Sequence, residues 1–157
     1  MDDRVLKEAL LTAFEYSYLH EDWVSPLQDV LAGLDATEAR FRTTPEGKCI
    51  WEVLLHVAVW NENIVERIRT GQATRPVEGA WPQMPDSGDE AAFEQAKARL
   101  WASLDSVRLT IADSPVSLLA AAPYGIADLI CRFTHIGYHL GQITKLRQSY
   151  PSSTLKA

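Results

Sequence analysis

H-I-G-Y-H-L-G-Q-I, residues 135 to 143, carries two histidines four positions apart. In a helix that spacing stacks both side chains on one face, one turn apart, as two ligands of one metal ion require. The chain has only 4 histidines. A random scatter of four would produce such a pair only roughly 8% of the time, so the spacing carries information. The surrounding sequence supports a helix, because no proline intervenes between Ile126 and Tyr150 and Pro151 forbids continuation. On a helical wheel Ile126, Leu129, Phe133, Ile136, Leu140 and Ile143 form a core side. Asp128, Arg132, His135, His139, Gln142 and Leu146 form a second line about 100 degrees away. The histidines therefore flank the core and are expected to look into a cleft between helices.

Working back along the chain, Ile50 to Arg69 contains neither proline nor glycine. Ile50, Val53, Leu54, Val57, Ala58, Ile64, Val65 and Ile68 recur there at helical spacing, and Gly71 supplies the stop. The segment from Gln72 to Gly88 holds Pro76, Pro82, Pro85, Gly79 and Gly88 and reads as a surface loop over a site. Asp89 caps a third helix with the stripe Ala92, Phe93, Ala96, Leu100, Leu104, Val107 and Ile111, ending near Asp113 before Ser114-Pro115. At the N-terminal end Val5, Leu6, Ala9, Leu10, Ala13 and Phe14 make an amphipathic stripe with Asp3 as N-cap. Ser25, Pro26 and Gln28 then predict a restart running through Leu34, followed by one short turn capped by Asp35 or Thr37. The tail P-S-S-T-L-K-A reads as frayed. Four long helices with no alternating strand pattern predict an all-α four-helix bundle, residues 1–157 forming a single domain. The connectivity, up-down or crossover, stays open.

The 157 residues can bury a real core without staples. Cys49 and Cys131 form no C-x-x-C pattern, so neither a disulfide framework nor a cysteine zinc site is expected. This usage, with no leader or membrane span in the sequence, points to a reduced, cytoplasmic setting. With a net charge of −6 and basic residues scattered singly, nucleic-acid binding is not expected.

His56 lies one turn from Val53 and Trp60 among apolar residues and is expected to point inward. Bundle interiors are where facing helices build metal sites. Three imidazoles leave a coordination position open, the pattern of a ligand-exchanging or catalytic site, and suit zinc, nickel, iron or copper. The competing reading makes His135 and His139 hydrogen-bonded bundle histidines or a solvent-exposed pair. Because the ligands must be neutral, a metal site should weaken as the pH falls toward about 6. Trp60 and Tyr124 are candidates to contact substrate, and Gln142 to hold an ion's outer shell or pack between helices. His20 reads as surface or cap, the remaining tryptophans, Trp23 and Trp81 among them, as core or loop anchors, and D-S-G-D-E as a solvated helix start. Glu62 and Glu66 have only a weak claim as acid, base or ligand. There is no nucleophile motif and no glycine-rich phosphate loop.

I-W-E-V-L-L-H-V-A-V-W-N-E, the A-W-P of the proline-rich connection, and H-I-G-Y-H-L-G-Q-I together resemble the DinB-like (DinB/YfiT) superfamily of metal-binding four-helix bundles. The resemblance spans nearly the whole chain. It implies a homodimer-prone bundle in which His56, His135 and His139 hold a divalent metal ion. Relatives include bacillithiol S-transferases and mycothiol-dependent maleylpyruvate isomerases, in which the metal favours the ionised form of a low-molecular-weight thiol that attacks an electrophile. For this chain it implies a metal-dependent thiol S-transferase or hydrolase acting on small electrophiles, with zinc, nickel or iron as the ion. The alternative is a non-catalytic metal- or small-ligand-binding protein of stress response. Ile136 stands where relatives often carry an aspartate after the first histidine, and Cys49 where a serine commonly caps the second helix.

Overall fold

The computed structural model describes residues 2–22, 24–86 and 89–151. Trp23, Ser87, Gly88 and residues 152–157 lie outside the described residues, and with them the expected anchoring role of Trp23, the breaker at Gly88, the middle of D-S-G-D-E and the expected fraying of most of the tail. Seven helices follow in order: α1 (Asp3–Tyr16), α2 (Leu27–Leu31), α3 (Ala36–Ala39), α4 (Ile50–Thr70), α5 (Glu90–Asp113), α6 (Val116–Ala121) and α7 (Gly125–Gln148). Among the described residues there is no strand. The four long helices are those expected, and the protein is an all-α bundle.

Local chemistry explains most boundaries. Asp2, not the expected Asp3, caps α1 by accepting from the Arg4 N–H at 2.9 Å. Asp35 and Asp89 cap α3 and α5 in the same way. At α4 the Cys49 N–H donates to the Glu52 carboxylate at 3.0 Å, and Gly71, left-handed at φ 69°, closes the other end with its N–H on the Arg67 carbonyl. Glu52 is also gripped by Arg42 at 2.7 Å and Lys48 at 3.1 Å. Burial opposes its charge, but the Cys49 N–H and the two cations hold its carboxyl down at about 2.

Four further expectations are corrected. The restart at Pro26 stops at Leu31, short of Leu34, because Ala32 is extended and Gly33 left-handed; Pro26 itself is the N-cap, with no side-chain cap bond from Ser25. A short helix, α6, follows Pro115 where only a break was expected, and α7 ends at Gln148 instead of Tyr150. The α1 stripe is narrower than its pattern: Leu10 and Phe14 are buried, with Leu6 partly so, while Val5, Ala9 and Ala13 face out. An i, i+4 row is what a helix buries when it packs at the corner of a bundle.

The packing pairs settle the connectivity. α4 packs on α5 and α7, and α1 packs on α5 and α7, so α1 and α4 lie diagonally across the bundle. The chain crosses that diagonal through α2 and α3, whereas the long 71–89 connection joins neighbours. α4 and α7 are thereby adjacent, and their inward rows (Val53, Leu54 and Val57 on one, Leu129, Phe133, Ile136, Leu140 and Ile143 on the other) are all buried. His56 sits one turn from Val53 on α4, which brings it face to face with the histidine line of α7.

Candidate metal centre

Three imidazoles from these two helices converge. His135 Nε2 is 3.0 Å from His56 Nε2 and 3.1 Å from His139 Nε2. One ligand atom from each ring falls in a group whose members all lie within 4.8 Å of one another. His56 and His139 are buried and His135 is partly buried. Glu62 and Glu66 do not join: Glu62 pairs with Arg99 at 2.8 Å and Glu66 with Arg69 at 2.8 Å, both on the outside. His20 is likewise remote, exposed beside Glu15 at 3.8 Å.

The outer nitrogens define what the inner ones can do. His56 Nδ1 donates to the Ala80 carbonyl at 2.5 Å, and His139 Nδ1 donates to Gln142 Oε1 at 2.9 Å. A neutral imidazole has one N–H, so both rings present a bare Nε2 lone pair toward His135. His135 has one proton to offer and cannot satisfy both neighbours at once. Two bare lone pairs facing a third imidazole at 3.0 and 3.1 Å are what a cation would satisfy and what neutral packing disfavours. The spacing also fits: nitrogens about 2.05 Å from a shared metal sit about 3.3 Å apart in a tetrahedron and about 2.9 Å in an octahedron. The two separations from His135, 3.0 and 3.1 Å, fall between these, and all three ligand atoms lie within 4.8 Å of one another.

Electrostatics keep the rings neutral. Burial lowers His56 to about 4, a drop opposed by the Ala80 carbonyl and reinforced by His139 and Arg132. Burial, with His139 and Arg132 nearby, lowers His135 to about 3; burial also lowers His139, against its bond to Gln142. Burial thus favours the proton-free form of the rings, the form a metal ion would require.

The long connection builds the wall. Trp81 stacks on His56, centroids 3.9 Å apart and planes at 18°, and Lys48 lies 4.8 Å over the Trp81 ring. The connection is tied down by Arg67, which donates from Nε to the Thr74 carbonyl at 2.9 Å, and by Arg99, which holds Glu78. Trp60, singled out in the sequence, is 6.4 Å from His56 ring to ring and also carries the Arg132 guanidinium at 4.9 Å. Tyr124 stands apart at the N-cap of α7, 71% exposed and left-handed at φ 68°. Eleven residues separate it from His135, about 16 Å along a helix axis, and its ring neighbour is Arg67 at 5.8 Å.

Sequence reading missed three participants. The Ala80 carbonyl has no residue-type signal, because the backbone of any residue would serve. Trp81 was one anchor among five, and only its place after the 80-carbonyl turn puts it on His56. Arg132 was visible on the histidine line, three residues before His135, and its NH1 comes to 3.5 Å from His135 Nδ1.

No curated protein and no solved structure matches the chain. The family comparison does: with three histidines gathered between its second and fourth long helices, and with the DinB superfamily family model matching residues 19–143, the chain belongs to the DinB superfamily.

Proposed function

We propose that the protein is a divalent-metal-dependent enzyme, with His56, His135 and His139 as the protein ligands, that transfers a low-molecular-weight thiol to, or hydrolyses, a small electrophile. The observation that carries the reading is the convergence of three imidazoles, two of them, His56 and His139, with Nε2 left bare because Ala80 and Gln142 hold the proton on Nδ1. A divalent ion held there supplies Lewis acidity that favours the ionised form of a coordinating thiol or water. The chain's own residues do the rest. The Nδ1–H bonds orient two rings, burial keeps all three neutral, and Trp81 covers one face of the His56 ring. Among the described residues no carboxylate joins the three histidines, so this arrangement leaves the fourth position to an exchangeable ligand. Zinc, nickel and iron all suit the donor set.

Support for a cytoplasmic homodimer is of a different kind. Among the described residues no helix is long and apolar enough to cross a membrane, both cysteines are free, and Ile130 and Tyr138 are exposed on the outer face of α7. Light scattering checks the dimer.

The test of function is metal analysis of chain purified without chelator or histidine tag, followed by conjugation of several thiols to a model electrophile. One divalent ion per chain is expected, lost in His139→Ala with helix content retained. Conjugation should vanish in His135→Ala. No stoichiometric metal sinks the proposal; metal without turnover reduces it to a binding protein.

A further inference from the structure

Arg132 is only 7% exposed, its Nε is buried without a partner, and it makes no ion pair among the described residues. Its one hydrogen-bond contact is His135 Nδ1 at 3.5 Å, the outer limit of a hydrogen bond, and its guanidinium carbon lies 4.9 Å from the Trp60 ring centroid. A buried guanidinium normally has a carboxylate. The nearest one on its own helix, Asp128, is taken by Arg67 at 2.9 Å. Lys48 and Arg42 are likewise committed, both to Glu52. Arg132 is therefore a buried guanidinium with no ion pair among the described residues, one imidazole's width from the converging histidines. Its presence there is unfavourable to a bound cation as well, so neither the fold nor the proposed metal accounts for it.

We propose that Arg132 is an anion-binding residue of this site and receives the carboxylate of a small monoanionic ligand, Trp60 flanking the ligand and its reactive end reaching the histidines. The planar guanidinium fork matches the two oxygens of a carboxylate. The proposal rests on the histidines being the reactive centre, and it adds the charge class of what that centre acts on.

The probe is benzoate, compared with uncharged benzamide, titrated into the full chain with and without zinc and followed by calorimetry. Wild-type chain should bind benzoate at least tenfold more tightly than benzamide. Arg132→Gln should lose that tenfold preference while zinc stoichiometry stays unchanged, and Arg132→Lys should keep part of it, which separates loss of charge from loss of fold. Equal binding of the two probes, or benzoate binding untouched in Arg132→Gln, overturns the proposal. If the chain takes up no zinc, the metal reading fails by itself; Arg132-dependent benzoate binding by the metal-free chain then still upholds the anion site, and its absence overturns that too.

Discussion

Arg67 and Arg132 are two buried guanidinium groups facing the same indole, 5.9 and 4.9 Å from the Trp60 centroid, and only the first is neutralised. Arg67, 9% exposed, donates to Asp128 and to the Thr74 carbonyl, joining α4 to α7 and to the 71–89 connection. Arg132 joins nothing comparable. Burying an ion without a partner is unfavourable by several kcal/mol even after relaxation, so the paired arginine reads as architecture and the unpaired one as a group held ready for something that arrives.

Breaking the paired side should have the largest effect. Arg67→Ala removes the cation paired with the partly buried Asp128, leaving only Arg132 one turn away to answer it, and frees the Thr74 carbonyl; a loss of about 2 to 3 kcal/mol is expected in urea unfolding. A loss under about 1 kcal/mol would erase the contrast with Arg132. Next is Gln142→Ala, which removes the acceptor that orients His139: zinc affinity should weaken ten- to a hundredfold, about 1.4 to 2.7 kcal/mol, by competition with a chromophoric chelator.

Acid sharpens the comparison from the histidine side. The folded-state values of His56 and His135, about 4 and about 3, lie below the unfolded value of about 6.5, so the unfolded chain binds more protons in between. Metal-free protein should thus lose stability as the pH falls from about 6.5 toward 4, by at most about 1.4 kcal/mol per pH unit per histidine and by less after solvent screening. His135→Gln should flatten that slope, and an unchanged slope would place the titration elsewhere. The smallest effect, of opposite sign, is expected for Arg132→Met: thermal unfolding should shift upward by the equivalent of about 1 kcal/mol, since a buried unpaired charge is replaced by an apolar side chain. Destabilisation there would make Arg132 structural.

Much of the bundle was legible because helices announce themselves locally. The proline- and glycine-free run from Ile50, the cap at Asp89 and the breaks at Ser114-Pro115 and Pro151 act within a few residues, and the structure follows them. Where the pattern misled, a nonlocal choice decided. Leu34 is buried, as its hydrophobicity demands, yet it is not helical, because the left-handed Gly33 turns the chain toward α3. Val5 and Ala9 belong to the α1 stripe and still face outward, because only one row of α1 meets α5 and α7.

The candidate site divides in the same way. Residue spacing alone put His135 and His139 on one side of a helix, and an apolar neighbourhood turned His56 inward, since both follow from a 3.6-residue period. Tertiary structure decided that α4 and α7 are neighbours while α1 and α4 are not, that a backbone carbonyl at Ala80 and the ring of Trp81 close on His56, and that Asp128 serves Arg67 and leaves Arg132 alone. Those outcomes depend on which groups meet across the bundle. Backbone carbonyls carry no residue identity, and a carboxylate within reach of two arginines is assigned to one of them only by packing.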